Sequence, residues 1–245
     1  MKKLIIILIL FTFLFSCEKE NEPSLTTSKA TNENNKDSNT FTNIDTLYWG
    51  TYKGVAVSKK DYSAIFNISI LSDTSGSCRL LINDRLFNLQ FDTSILVRNN
   101  RNVHYSTENL SLVISTSNTN PIVTIDYNDI DFMVYALKEE INNTVFLYQG
   151  VWNATVKTPI STFEEKGLWN LVHNSKEILG TNGEGPIKGT ISPTGEYSGT
   201  HNNGTFTGFK TDTTLSGTFK WTAFGVGGTG NWDTEQVFLS SQFAN

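Results

Sequence analysis

The 245-residue chain has only two cysteines, Cys17 and Cys78. A small exported scaffold stapled by disulfides needs several pairs, so packing must hold this fold together. Charge is also scarce, at 18% of residues against about a quarter in an average domain. The balance is acidic, with a formal net charge of −5, and no basic stripe with interleaved aromatics occurs. Nucleic acid is therefore not expected as a partner, because its binding draws on clustered Lys and Arg. No apolar run reaches the roughly 20 residues that cross a bilayer as a helix, and no long amphipathic helix stands out. Gly, Thr, Ser and Asn are abundant instead, the composition of an exported β protein.

The longest apolar stretch lies at the N-terminus. Lys2 and Lys3 precede the 12 residues Leu4 to Phe15, and Leu14-Phe15-Ser16-Cys17 follows with the character of a cleavage site. Residues 1–16 read as a cleaved signal peptide. The Leu-x-Ser-Cys ending resembles the lipobox of bacterial lipoproteins, with Phe15 standing at a position usually small. The resemblance implies that Cys17 becomes the first mature residue and carries a diacylglycerol and a further acyl chain such as palmitate. Two or more chains give stable anchoring, whereas one is marginal. It also implies a lipoprotein of the Gram-negative cell envelope, anchored in the outer membrane. Glu18, Lys19, Glu20 and Glu22 resemble an acidic signal that sends lipoproteins to the cell surface.

Residues 17–45 are polar and read as a disordered tether, too poor in apolar side chains to offset ordering entropy. As a flexible coil the tether spans roughly 30 Å. With Cys17 acylated, Cys78 has no intrachain partner. Alternation places it beside Leu80 and Ile82, as a small buried hydrophobe and not a reactive thiol.

From Thr46 the dominant period is two. Ala64, Phe66, Ile68 and Ile70 mark one apolar face, with Ile65 and Leu71 interrupting the polar one. Further strands are expected over 79–82, 85–91, 110–115, 122–126 and 132–137, separated by turn residues. Ser161-Thr162-Phe163-Glu164 has the spacing of a capping box and predicts at most one helical turn. Gly189, Gly199, Gly208 and Gly217 recur at spacings of 10, 9 and 9 residues on apolar strand faces. Such glycines suit sharp coiling or leave room for a large neighbouring ring in a small closed barrel. Tyr48-Trp49-Gly50-Thr51-Tyr52 and Tyr148-Gln149-Gly150-Val151-Trp152 share a Tyr-x-Gly-x-aromatic pattern, a mark of two related halves. The expected fold is all-β, an antiparallel meander closed as a barrel or stacked as a sandwich. It is either one continuous domain or two halves, 46–142 and 143–245.

Gly150-Val151-Trp152 resembles the Gly-x-Trp opening of calycins, the lipocalin and avidin group of ligand-binding barrels. Ile125-Asp126-Tyr127 is similar to a lipocalin Asp-Tyr element but comes before the Gly-x-Trp, in the wrong order. The resemblance implies a ligand-binding barrel and maps no recognition residue.

Catalytic patterns are missing. His104, His173 and His201 form no close metal-binding pair, so no metal or cofactor is expected, and His201, near a hairpin tip, reads as a solvated or rim residue. Gly-x-Ser-x-Gly is absent. Gly225 to Gly230 is glycine-rich, but no helix follows to bind phosphate, which leaves a flexible strand connection. Asp129 with Asp131, and Glu164 with Glu165, read as solvated turn acids; a glycosidase needs carboxyls set at specific separations in space. The aromatic side chains carry the functional expectation. Trp152, Trp169, Trp221 and Trp232 are candidates to bind ligand; each reads first as core, and Trp221 and Trp232, nearest the glycine-rich connection, are the ones expected to depart from that and bind. The function expected is a membrane-anchored, non-catalytic β-barrel-like binding module for a small apolar ligand, a glycan or an envelope protein. Its alternatives are a carbohydrate hydrolase using paired carboxylates and a protein-interaction or inhibitor module.

Overall fold

Alternation of large apolar and short polar side chains produces strands throughout the computed structural model, which describes residues 49–72, 75–92, 102–116 and 121–239. No helix occurs among them. The signal segment, Cys17 and the tether lie outside the described residues.

The first sheet is built from β1 (Gly50–Ser58), β2 (Ser63–Ser72), β3 (Ser75–Ile82), β4 (Arg85–Phe91), β5 (Asn102–Thr107), β6 (Leu110–Ser115), β7 (Ile122–Tyr127) and β8 (Phe132–Lys138). Its order is β7-β6-β5-β4-β3-β2-β1-β8, and its pairings are antiparallel. The edge strands β7 and β8 are joined by a short turn in which Asn128 and Asp129 take φ of 52° and 55°. Inward residues from all eight strands, among them Tyr52, Phe66, Leu80, Leu89, Tyr105, Leu112, Ile125 and Ala136, form one core cluster. The sheet therefore curls around a single interior, with no ladder between β7 and β8 among the described residues. Cys78 is buried in that core, and burial holds its thiol far above its ordinary pKa.

The second sheet contains β9 (Phe146–Lys157), β10 (Thr162–Leu168), β11 (Asn170–His173), β12 (Ile178–Thr181), β13 (Pro186–Ile191), β14 (Glu196–His201), β15 (Gly204–Lys210), β16 (Thr214–Ala223) and β17 (Val226–Gln236). Only Trp169 separates β10 from β11. Both pair with β9, and the Trp169 N–H donates to the Gly150 carbonyl at 2.9 Å, so they act as one strand. β17 pairs with β9 from Gly227↔Lys157 to Gln236↔Tyr148. The meander thus closes into an antiparallel barrel without an open seam. The helical turn expected at Ser161 does not form. Those backbone groups pair with β9 from Lys157 to Val151, and a helical turn would leave the β9 groups without partners.

The recurrent glycines sit on the inner face. Gly189 lies opposite Gly199, and Gly208 opposite Gly217. A Cβ on Gly199 would fall 2.7 Å from the Phe206 ring, and one on Gly208 would fall 2.4 Å from that of Trp232. Both rings occupy the space that the glycines vacate. In each sheet the strand carrying the shared aromatic-glycine pattern also pairs with the last strand of its own meander, β1 with β8 and β9 with β17.

The outer faces of the two sheets meet in an apolar cluster of Val55, Ile65, Leu137, Val145, Leu147 and Val172. Ile65, which interrupts the polar face of β2, is buried in this joint. Asn170 is fully buried there, and its Nδ2 donates to the Ala56 carbonyl at 3.0 Å and to Ser63 Oγ at 2.6 Å. The connecting segment is pinned at both ends. Lys53 pairs with Glu139 at 2.6 Å, the Val145 N–H donates to Glu139 Oε1, and the Ser175 N–H donates to Asn143 Oδ1.

A candidate ligand cleft at the barrel mouth

Two tryptophans flank one mouth of the second barrel, each seated on a glycine of the adjacent strand. Trp152 of β9 lies opposite Gly167 of β10, where a Cβ would stand 2.7 Å from its Nε1. Trp221 of β16 lies opposite Gly228 of β17, where a Cβ would stand 2.4 Å from its Nε1. The glycine-rich stretch is therefore not simply a loose connection. Phe224 and Gly225 form its turn, with φ of 51° and 79°, while Gly228 and Gly230 lie within β17 and seat Trp221 and Phe219.

A cavity of about 160 Å³ opens beside these rings. Trp169, Phe219 and His201 contribute its buried side chains, while Glu165, Asn182, Glu184, Asn202 and Asn203 contribute the polar ones. Asn182 Oδ1 accepts the Glu184 and Gly185 N–H groups, each at 3.1 Å, which fixes the β12–β13 loop that carries Glu184.

His201, expected as a solvated or rim residue, is not solvated: it is only 3% exposed. Barrel closure brings its ring edge-on to Trp169 and Phe219, at centroid distances of 5.4 and 5.1 Å. Burial lowers its pKa from the ordinary 6.5, and the Lys220 carbonyl opposes this in part; the ring is neutral at pH 7. Neither imidazole nitrogen makes a protein hydrogen bond of good geometry, and the Nε1 atoms of Trp152 and Trp169 have no acceptor either. All three rings line the cavity.

The four candidate tryptophans thus separate by depth. Trp152 and Trp221 are half-buried at the rim, and Trp169 is fully buried yet lines the cavity. Trp232 is 1% exposed and stacks on Trp169 at 5.8 Å and 15°, as core beneath the site. The sequence-adjacent acids separate as well. Glu164 turns outward to accept from Thr155 Oγ1 at 2.8 Å, while Glu165 reaches the cleft. Asp129 and Asp131 stay at the β7–β8 turn of the other sheet. Glu184 has no sequence neighbour that marks it as a site residue, and only the turn signal Asn182-Gly183 hints at its placement. His173 lies outside the cleft lining, stacked on Phe146 and Tyr148 at 5.2 and 5.3 Å. Its burial drives its pKa down to about 4, with the Asn174 carbonyl opposing and Lys210 reinforcing the shift. Among the described residues no group of three His, Cys, Asp or Glu side chains is placed to hold a metal.

Fold and site together define a two-sheet β protein with a closed meander barrel and an aromatic cleft at its mouth. No protein-family profile matches the chain, and no curated protein matches it. Among solved structures it is similar to a tryptophan-to-alanine mutant of the vaccine antigen transferrin binding protein B from Haemophilus parasuis Hp5. The identity is 13% and the TM-score 0.32, over 77% of this chain and 46% of that one. It is also similar to intact Ap-TbpB with its N and C lobes, at 11% identity and a TM-score of 0.32, over 76% of this chain and 46% of that one. The chain spans just under half the length of these proteins.

Proposed function

We propose that this chain is a membrane-anchored binding protein of the Gram-negative cell envelope, and that the barrel-mouth cleft takes one residue of a glycan. The observation that carries the reading is a cavity flanked by the half-buried rings of Trp152 and Trp221, whose lining also holds two carboxylates and three amides. Sugars present C–H faces that pack on aromatic rings and hydroxyls that accept from ring N–H groups and bond to amides and carboxylates. A carrier of small apolar molecules is less well supported, because rings fill the barrel interior. The cavity's 160 Å³ is below the roughly 300–1,000 Å³ of a pocket that encloses a whole drug-sized ligand. One sugar unit enters and the remainder of the glycan stays outside.

The full chain in detergent, presented to a glycan array, is expected to retain a defined set of glycans. Trp221→Ala is expected to weaken their binding at least tenfold, about 1.4 kcal/mol, while the protein stays folded and loses less stability than Trp169→Ala because Trp221 is only half-buried. An array without any bound glycan overturns the reading. The hydrolase alternative is favoured by one observation, that Glu165 and Glu184 share the cleft. Both are exposed, whereas a general acid is ordinarily sheltered from water, so bound glycans are expected to remain intact. Release of reducing ends would establish the hydrolase instead.

Anchoring rests on the lipobox resemblance at Cys17. Cys17→Ala is expected to abolish incorporation of labelled palmitate and to free the protein from the membrane fraction. Unchanged labelling would refute the anchor.

A further inference from the structure

We infer that the sugar held in the cleft carries a positive charge, as an amino sugar with a free ammonium group. The inference rests on the glycan reading and specifies the ligand of the same cleft. The lining contains two carboxylates, Glu165 and Glu184, three amides, and neither Lys nor Arg. His201 adds no charge at neutral pH, since burial disfavours its protonated form. The ion pairs among the described residues are Lys53–Glu139 and Lys176–Glu140, so neither cleft carboxylate has a cationic partner. The same cleft is flanked by the half-buried rings of Trp152 and Trp221, and aromatic faces attract cations through the ring quadrupole.

Cations do stand nearby, but on another flank. Lys59 and Lys166, with Asp61, line an adjoining hollow that shares Trp152, Asn182 and Glu184 with the cleft. No cation lines the aromatic cleft itself, where a ligand ammonium meets two carboxylates and the ring faces. Partial enclosure strengthens that attraction relative to bulk water. A uronic or sialic acid would place like charge beside Glu165 and Glu184, with no lining cation to offset it. The three amides of the lining remain available for the hydroxyls of the same sugar.

The test uses the full chain in detergent and matched pairs of oligosaccharides, in gluco and galacto configurations. Each pair differs only in a free amine against its N-acetylated form. Calorimetric titration at pH 7 is expected to give at least tenfold tighter binding of the amine form. The double variant Glu165→Gln/Glu184→Gln is expected to lose that preference. The control Glu108→Gln/Glu235→Gln, which changes net charge equally at exposed positions away from the cleft lining, is expected to retain it. Equal or tighter binding of acetylated forms, retention of the preference in the cleft double variant, its loss in the control, or a best-bound array glycan without a free amine each overturns the ammonium inference while leaving the glycan reading standing. If no glycan of either kind binds, both fall.

Discussion

Replacing Trp169 by alanine is expected to lower the unfolding free energy by about 3–5 kcal/mol, the range for deleting a large buried ring. Trp169 is fully buried. It stacks on Trp232 and Phe219 at 5.8 and 5.6 Å and meets Phe206 and His201 edge-on at 6.0 and 5.4 Å. Four rings lose a partner at once. The nearby inner positions Gly189, Gly199, Gly208 and Gly217 have no side chains that could move into the void. Urea denaturation followed by far-UV circular dichroism measures the loss, and Trp169→Phe, which keeps a ring in the stack, is expected to lose less. A change below about 0.5 kcal/mol, the range of ordinary surface substitutions, would show that the barrel interior is not packed as described.

The joint between the sheets is the second place where one atom matters. Asn170→Asp is expected to cost about 3–5 kcal/mol at pH 7, as expected for an uncompensated buried charge. Asn170 Nδ2 donates to the Ala56 carbonyl and to Ser63 Oγ. An aspartate puts a charged acceptor against that carbonyl, at a fully buried position. Burial raises the folded-state pKa of such a carboxyl above its unfolded value. The folded variant therefore binds a proton more readily than the unfolded chain, and its deficit relative to wild type shrinks as pH falls through the folded pKa. His173 acts in the opposite sense in both proteins. Its pKa of about 4 lies below the ordinary 6.5, so its contribution is complete above pH 6.5 and declines as pH falls toward 4. The informative quantity is thus the difference between variant and wild type at each pH, measured by thermal unfolding. A deficit that does not shrink on acidification would mean that the carboxylate has reached water and that the joint is open.

Much of the barrel was legible in the chain. Period-two alternation placed Cys78, Leu80 and Ile82 on one buried face, and the glycine rhythm marked where large rings could need space, which the structure assigns to Phe206 and Trp232. Ile65 showed only as an irregularity in an otherwise polar face, because its cluster partners Val145 and Val172 belong to the connecting segment and to the other sheet. The segment at Ser161 misled because a capping box is a local signal, while pairing with β9 is a long-range one that satisfies more backbone groups. The rim tryptophans were legible as candidates. His201 was not, since its distance from water depends on Trp169 and Phe219 closing around it, and nothing adjacent in sequence announces that.

By itself the sequence determined an all-β chain with scarce charge and an inner face that alternates glycine with large rings, because these follow from residue type and a period of two. The tertiary structure alone decided which rings fill the barrel and which stand at its mouth. It also decided that Glu165 and Glu184 share a cleft while Glu164 and Glu165 face apart. Closure of β17 onto β9 fixes those positions, and closure joins residues about 80 apart in the chain, a separation that no local pattern encodes.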